Sequence, residues 1–182
     1  MPPPPSIPSR RPRTPFEASF APEPVVNTPR SGQAFLFEIA WEVCNLVGGI
    51  YQVLRSKAPL MGDRWGPRYC VVGPYIPAKA GLEFEEAEPT GYFARVVQRA
   101  QASGIRVHHG HWLIQGKPRA LLLEHWDLHA SLGELKYLLW EQAGIACPQG
   151  DQVVDEAVLF GAAVQRLLSA ACTEAAASRA DD

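Results

Sequence analysis

The stretch from Phe35 to Ala58, FLFEIAWEVCNLVGGIYQVLRSKA, constrains this chain more than any other. The run from Ala34 to Ala40 has the continuous apolar character of a buried strand. Trp41, Glu42 and Asn45 lead on to the pair Gly48-Gly49. An amphipathic run follows at once, with Ile50, Val53, Leu54, Lys57 and Ala58 at helical spacing. Strand, glycine turn and helix start, in that order, are how an α/β protein builds a phosphate site. Glycine lets backbone approach the ligand, and unpaired N–H groups of the helix point at its charge. The pair is neither the dinucleotide fingerprint, since GxGxxG is absent, nor a Walker loop, since no Gly-Lys-Ser/Thr follows. A tight structural connection is the competing reading of the same letters.

The pattern then alternates. A helix is expected over residues 50 to about 61, broken by Gly62-Asp63 and Gly66-Pro67. A second strand is expected at Tyr69 to Gly73, and residues 75–91 read as a long loop rich in Glu, Pro and Gly. Phe93, Val96, Val97 and Ala100 share one face of a helix over residues 92–103, with Gly104 placed to cap it. Residues 105–115 and 119–125 are strand-like and joined by Gly116-Lys117-Pro118, a hairpin signal. Residues 128–143 read as helical. Asp151 is placed to N-cap a last long helix with an apolar stripe through Val154, Ala157, Val158, Gly161, Val164, Leu168 and Ala171. Strands alternating with helices predict an α/β fold around a mainly parallel open sheet.

A chain of 182 residues is long enough for one domain with a sizeable core. A formal net charge of −2 gives no global pull toward nucleic acid or anionic membrane, so neither is an expected partner. No apolar run approaches the roughly 18 residues of a spanning helix, and the start, MPPPPSIPSRRPRTPF, lacks the apolar core of a secretory signal. Cys44, Cys70, Cys147 and Cys172 show no CxxC spacing; reduced thiols in a cytoplasmic protein are expected, with no metal and no cofactor. Residues 1–32, rich in Pro and Arg, read as a disordered tail in which Pro5-Ser6-Ile7-Pro8 fits PxxP.

Three other groups invite a functional reading. His108, His109 and His111 form HHGH; on a strand His109 and His111 share a face, but too few ligands stand nearby for zinc, and structural or surface roles are expected. Glu83, Glu85, Glu86 and Glu88 read as a solvated acidic run. Trp112, Trp126 and Trp140 read as core or half-buried aromatics, with sugar stacking as the alternative.

Five ordered segments carry a resemblance: LFEIAWEVCNLVGGIYQVLRSKA, RWGPRYCVVGPY, VHHGHWLIQGKP, LLWEQAGI and DEAVLFG. Together, from about Phe35 to Leu168, they resemble the N-terminal part of glycogen synthases of the fungal and animal type, glycosyltransferase family 3. The resemblance implies a Rossmann-like open sheet and a partial N-terminal domain of a GT-B glycosyltransferase over residues 33–175, with residues 176–182 as a flexible end. It implies transfer of glucose from UDP-glucose to the non-reducing end of an α-1,4-glucan, with retention. Gly48 and Gly49 would then belong to the donor-binding loop, and Asn45 and Tyr51 would support its shape.

The sequence departs from the family at Leu46, which stands where the family carries a basic residue that contacts the donor. Losing that charge-assisted bond weakens donor binding by roughly 1.5–3 kcal/mol unless something replaces it. Arg55 and Lys57 lie close in sequence but are expected to point elsewhere. The family's remaining donor-binding and catalytic residues have no counterpart before Asp182. The expectation is therefore a chain inactive alone, carrying no catalytic residue of its own, exposing apolar surface, and completed either by a second polypeptide that carries the C-terminal half or by a C-terminal half missing from this sequence. The alternative is a non-catalytic glucan- or partner-binding module derived from the same domain.

Overall fold

The computed structural model describes residues 34–180. The PxxP segment and the rest of residues 1–32 lie outside that range. The elements are β1 (Leu36–Ile39), α1 (Gly49–Trp65), β2 (Tyr69–Pro74), α2 (Pro77–Glu83), β3 (Phe84–Glu86), α3 (Gly91–Ala102), β4 (Val107–Trp112), β5 (Arg119–Leu123), α4 (Leu132–Ala143) and α5 (Gln152–Ala180). Short 3-10 turns at Gly66–Arg68 and His125–Ser131 precede β2 and α4.

The strands form one open five-stranded sheet in the order β1-β2-β5-β4-β3. β1, β2 and β5 are parallel, with Ile39 opposite Val72 and Val72 opposite Leu121. β4 is antiparallel to both β5 and β3, so it alone runs against the rest. The hairpin expected at Gly116-Lys117-Pro118 therefore makes the sheet mixed, while its β1-β2-β5 half keeps the parallel α/β pattern. The architecture is a partial Rossmann-like α/β domain.

Both faces are covered. β5 lies inside the sheet, and Ala120, Leu121, Leu122 and Leu123 are fully buried. Each leucine contributes on the order of 1.5–3 kcal/mol of hydrophobic stabilisation. Cys70, Val72, Leu121 and Leu123 face α3 and α5, meeting Phe93, Val96, Leu159, Ala163 and Leu167. Tyr69, Val71 and Leu122 face α1, meeting Tyr51 and Leu54. The C-terminal half of α5 is tied to α3 by Glu174, which accepts from Arg99 Nε at 2.6 Å and Arg95 Nε at 3.1 Å. These guanidinium bonds, Arg99 first, hold the Glu174 carboxyl below its ordinary range.

Three local expectations are corrected. Residues 75–91 are not one loop: Pro77, at the first turn where its missing N–H costs nothing, opens α2, and Phe84–Glu86 adds to the sheet edge. α1 passes through Gly62-Asp63 and ends at Gly66, whose φ of +54° suits glycine and whose N–H donates to Gly62 O. The buried face of α1 is Tyr51, Leu54 and Ala58, whereas Ile50, Val53 and Leu60 are exposed. α5 ends at Ala180. Asp151 caps α5 as expected, its Oδ1 accepting from the N–H of Val153 at 3.0 Å and of Val154 at 3.2 Å.

Candidate functional site

The connection from β1 to α1 lies at the carboxyl end of the parallel strands, the end where open α/β sheets bind ligands. It begins with a turn, Val43 N–H donating to Ala40 O at 3.3 Å. Val43 and Cys44 are buried beneath it, and Cys44 takes a left-handed φ of +52°. That conformation is unusual for a residue with a β-carbon and stores on the order of 1 kcal/mol or more. Asn45 is buried and its Nδ2 donates to Trp41 O at 3.1 Å, closing the turn. Leu46 and Val47 face solvent.

Gly48 and Gly49 open α1, but two of the N–H groups at this helix start already have an acceptor. Glu42 Oε2 accepts from Gly48 N–H at 2.7 Å and from Tyr51 N–H at 2.9 Å. The carboxylate sits where an anionic ligand would otherwise meet the helix dipole. A β-carbon at Gly48 would lie 3.3 Å from Glu42 Oε1, whereas one at Gly49 would meet nothing within 4 Å. Gly48 thus gives room to an internal carboxylate, and Gly49 is the glycine left open toward solvent. The N–H groups of Gly49 and Ile50 have no hydrogen-bond partner among the described residues.

Glu42 is the residue that sequence reasoning passed over. Its signal was a lone carboxylate in the connection just before a helix start. Glu83 was missed in a similar way. It is not part of a solvated acidic run: its Oε2 accepts from Tyr51 Oη at 3.0 Å and Trp112 Nε1 at 3.1 Å. The Tyr51 ring meets Trp112 edge-on with centroids 5.3 Å apart. Tyr51 therefore joins the glycine loop to α2 and β4, and burial raises its hydroxyl pKa.

Of the two basic residues close in sequence to the loop, one is paired and the other is open to solvent. Lys57 pairs with Glu38, which also accepts from Tyr69 Oη at 2.6 Å. Arg55 is exposed on α1.

The other candidates separate from this site. His108 stacks on Tyr75 with centroids 3.7 Å apart and bonds Glu124 and Glu86. His109 is buried, its Nδ1 2.7 Å from Ala87 O. No cluster of three His, Cys, Asp or Glu with metal-holding geometry occurs among the described residues. Trp112 is fully buried, while Trp126 and Trp140 are exposed. A depression of about 590 Å³ between Pro59 and Asp63 of α1 and Lys117 of the hairpin lies at the far end of the sheet from Gly48. Within the described residues no helix is long and apolar enough to cross a membrane.

The glycogen synthase family model matches residues 38–180, which include this whole connection. A glycogen [starch] synthase of Neurospora crassa is 41% identical over 127 residues, 69% of this chain and 18% of the relative. One from Caenorhabditis elegans is 41% identical over 128 residues, 70% of this chain and 19% of the relative. The human liver glycogen [starch] synthase is 36% identical over 134 residues, 71% of this chain and 18% of the relative. The chain thus spans less than a fifth of the length of these relatives. A match that runs through nearly all of the described fold means that this chain belongs to the glycogen synthase family.

Proposed function

We propose that this chain supplies the glycine-loop wall of a glycogen synthase active site, in a GT-B enzyme working in the cytoplasm. The reaction is transfer of glucose from UDP-glucose to the non-reducing end of an α-1,4-glucan with retention. The observation that carries this is the family match together with Gly49 and Ile50, exposed residues at the carboxyl end of β1 whose N–H groups have no partner among the described residues. A departing diphosphate needs such donors together with positive charge. Leu46 supplies none, and Lys57 is held by Glu38. Donor phosphates would therefore meet Gly49 and Ile50, with Glu42 keeping the helix start in shape. Cationic groups come from further polypeptide, either a C-terminal half in the same chain or a second chain. The 182 residues alone are inactive, because stabilising a transition state takes both walls of a cleft.

Calorimetric titration of UDP-glucose tests this, run on the chain alone and with a polypeptide carrying the remaining family sequence, alongside glucose incorporation into glycogen. Donor binding and incorporation only in the combined sample support the reading. Incorporation by the 182 residues alone would overturn it.

Leu46 favours one second reading, a non-catalytic glucan- or partner-binding module that has lost donor recognition. Glucan binding with no donor binding in either sample would select it.

A further inference from the structure

The depression between α1 and the β4-β5 hairpin holds an uncompensated cation. It lies at the amino end of β2 and β5, away from the glycine loop, and has a volume of about 590 Å³. Arg119, at the start of β5, lines it. So do His111, which stands opposite Arg119 in the sheet, and Lys117 at the hairpin tip. The Arg119 guanidinium carbon lies 4.1 Å from the centre of the Phe93 ring. Its Nη1 donates to Pro67 O, and its Nε is buried without a partner among the described residues. Arg119 is half-buried; burial lowers its pKa, and no described carboxylate offsets the loss.

The walls around this cation leave room and hold position. Pro59, Gly62, Gly66 and Pro67 contribute little side chain. Gly116 has a φ of +89°, and a β-carbon there would lie 3.0 Å from Pro59 Cα, so the hairpin tip is seated against α1. Lys117 N–H donates to Ile114 O at 3.0 Å, and Lys117 takes a left-handed φ of +37°. A residue with a β-carbon keeps that conformation only where its surroundings hold it there. The ion pair of Lys117 with Glu85 spans 3.8 Å, with both side chains mostly in water. Such a pair is weak, so the ammonium is available to another anion. Asp63 is the one acid among the lining residues, and it is exposed.

The geometry points to an oxyanion site here: a phosphate group, free or carried on a small molecule, bound by Arg119 and Lys117 with His111 beside them. A half-buried cation has lost part of its hydration, and an anion that pairs with it recovers some of that loss. The guanidinium fork matches two phosphate oxygens, and the lysine adds a point charge. The volume exceeds what one phosphate fills and falls within the roughly 300–1,000 Å³ of small-molecule sites. Pro59, Pro67 and Pro118 offer apolar contact to a small body attached to the phosphate. Asp63 opposes the anion from the rim, so its charge limits the affinity. The site is separate from the glycine loop; it goes beyond the proposed function and does not rest on it.

Inorganic phosphate is titrated into the full 182-residue chain at low salt, and amide shifts are followed by NMR against sodium chloride of matched ionic strength. Saturable shifts are expected at Gly66, Gly116, Lys117 and Arg119, with none at Gly49 or Ile50. Lys117→Asn removes the charge but keeps a residue that tolerates the left-handed region, and should weaken phosphate about tenfold. Arg119→Gln should weaken it at least as much, and Asp63→Asn should strengthen it about threefold. Circular dichroism checks the folding of each variant; Lys117→Asn, on an exposed turn, decides the matter if Arg119→Gln does not fold. Glycerol 3-phosphate is titrated in parallel. Tighter binding than inorganic phosphate identifies a small organic phosphate as the occupant, equal or weaker binding identifies the free ion, and either supports the site. Absence of saturable shifts, equal shifts in chloride, or shifts confined to Gly49 and Ile50 overturns the inference. So does unchanged affinity in Lys117→Asn, or binding that is not strengthened in Asp63→Asn.

Discussion

Gly48 donates its N–H to Glu42 Oε2 at 2.7 Å, and the absence of a side chain at Gly48 is what lets that carboxylate approach. The same oxygen accepts from Tyr51 N–H, so Glu42 acts as an anionic cap on α1. Glu42→Ala should lower stability by about 1–2 kcal/mol in urea unfolding, the usual cost of removing a helix cap. Gly48→Ala should cost less, about 0.5–1 kcal/mol, as the carboxylate shifts. In the Glu42→Ala background the Gly48→Ala cost should shrink, because the pressed group is gone. Strict additivity of the two substitutions would argue against the relationship.

Gly110 and Gly161 should behave oppositely. A β-carbon at Gly110 would lie 2.1 Å from Glu85 O, a backbone atom of the paired strand β3. Gly110→Ala should therefore destabilise by roughly 2 kcal/mol or more and loosen β3. At Gly161, inside α5, a β-carbon meets nothing within 4 Å. Gly161→Ala should stabilise by about 0.5–1 kcal/mol through helix propensity. Thermal unfolding of both variants checks the pair.

These positions show what could be read from the letters and what could not. β1, the glycine turn and α1 were legible because apolar continuity, Gly48-Gly49 and helical spacing agree within one short window. The core stripes of α3 and α5 were legible for the same reason. Residues 75–91 carry no period, so α2 and β3 were hidden; Pro77 was their one local signal. Glu83 was unreadable because its partners, Tyr51 and Trp112, come from distant segments. Ile50 and Val53 misled: both fit an amphipathic helix, yet the buried face is set by Tyr51, Leu54 and Ala58 against β2 and β5.

Acid should weaken the fold first through buried histidines. Burial lowers the pKa of His125, which is packed against Trp41 and Phe160, and of His109. Both stay neutral in the native state while the unfolded chain takes up protons below about pH 6.5. Their contribution is complete above that value and is lost as pH falls toward the depressed native values. Asp127, held down chiefly by the Arg106 guanidinium, acts only at lower pH, where its carboxyl protonates. Between pH 7 and 5, His125→Phe should lose less stability than the unsubstituted chain. Parallel pH profiles for the two would show that His125 does not titrate as argued.

Leu46 offers the sharpest functional prediction. Its side chain is 50% exposed in the glycine loop, so Leu46→Arg should change folding stability by no more than about 0.5 kcal/mol. Under the proposed role of the loop, the new guanidinium would reach a donor phosphate beside Gly49 in the complex with the remaining family polypeptide. A charge-assisted bond of that kind contributes roughly 1.5–3 kcal/mol, so UDP-glucose should bind about tenfold more tightly or better. The gain should fall with added salt if the side chain remains partly in water. Calorimetric titration of the two complexes decides it. An unchanged affinity for Leu46→Arg in a complex that binds donor would mean that the loop does not face the phosphates, and the proposed role of Gly48-Gly49 would fall with it.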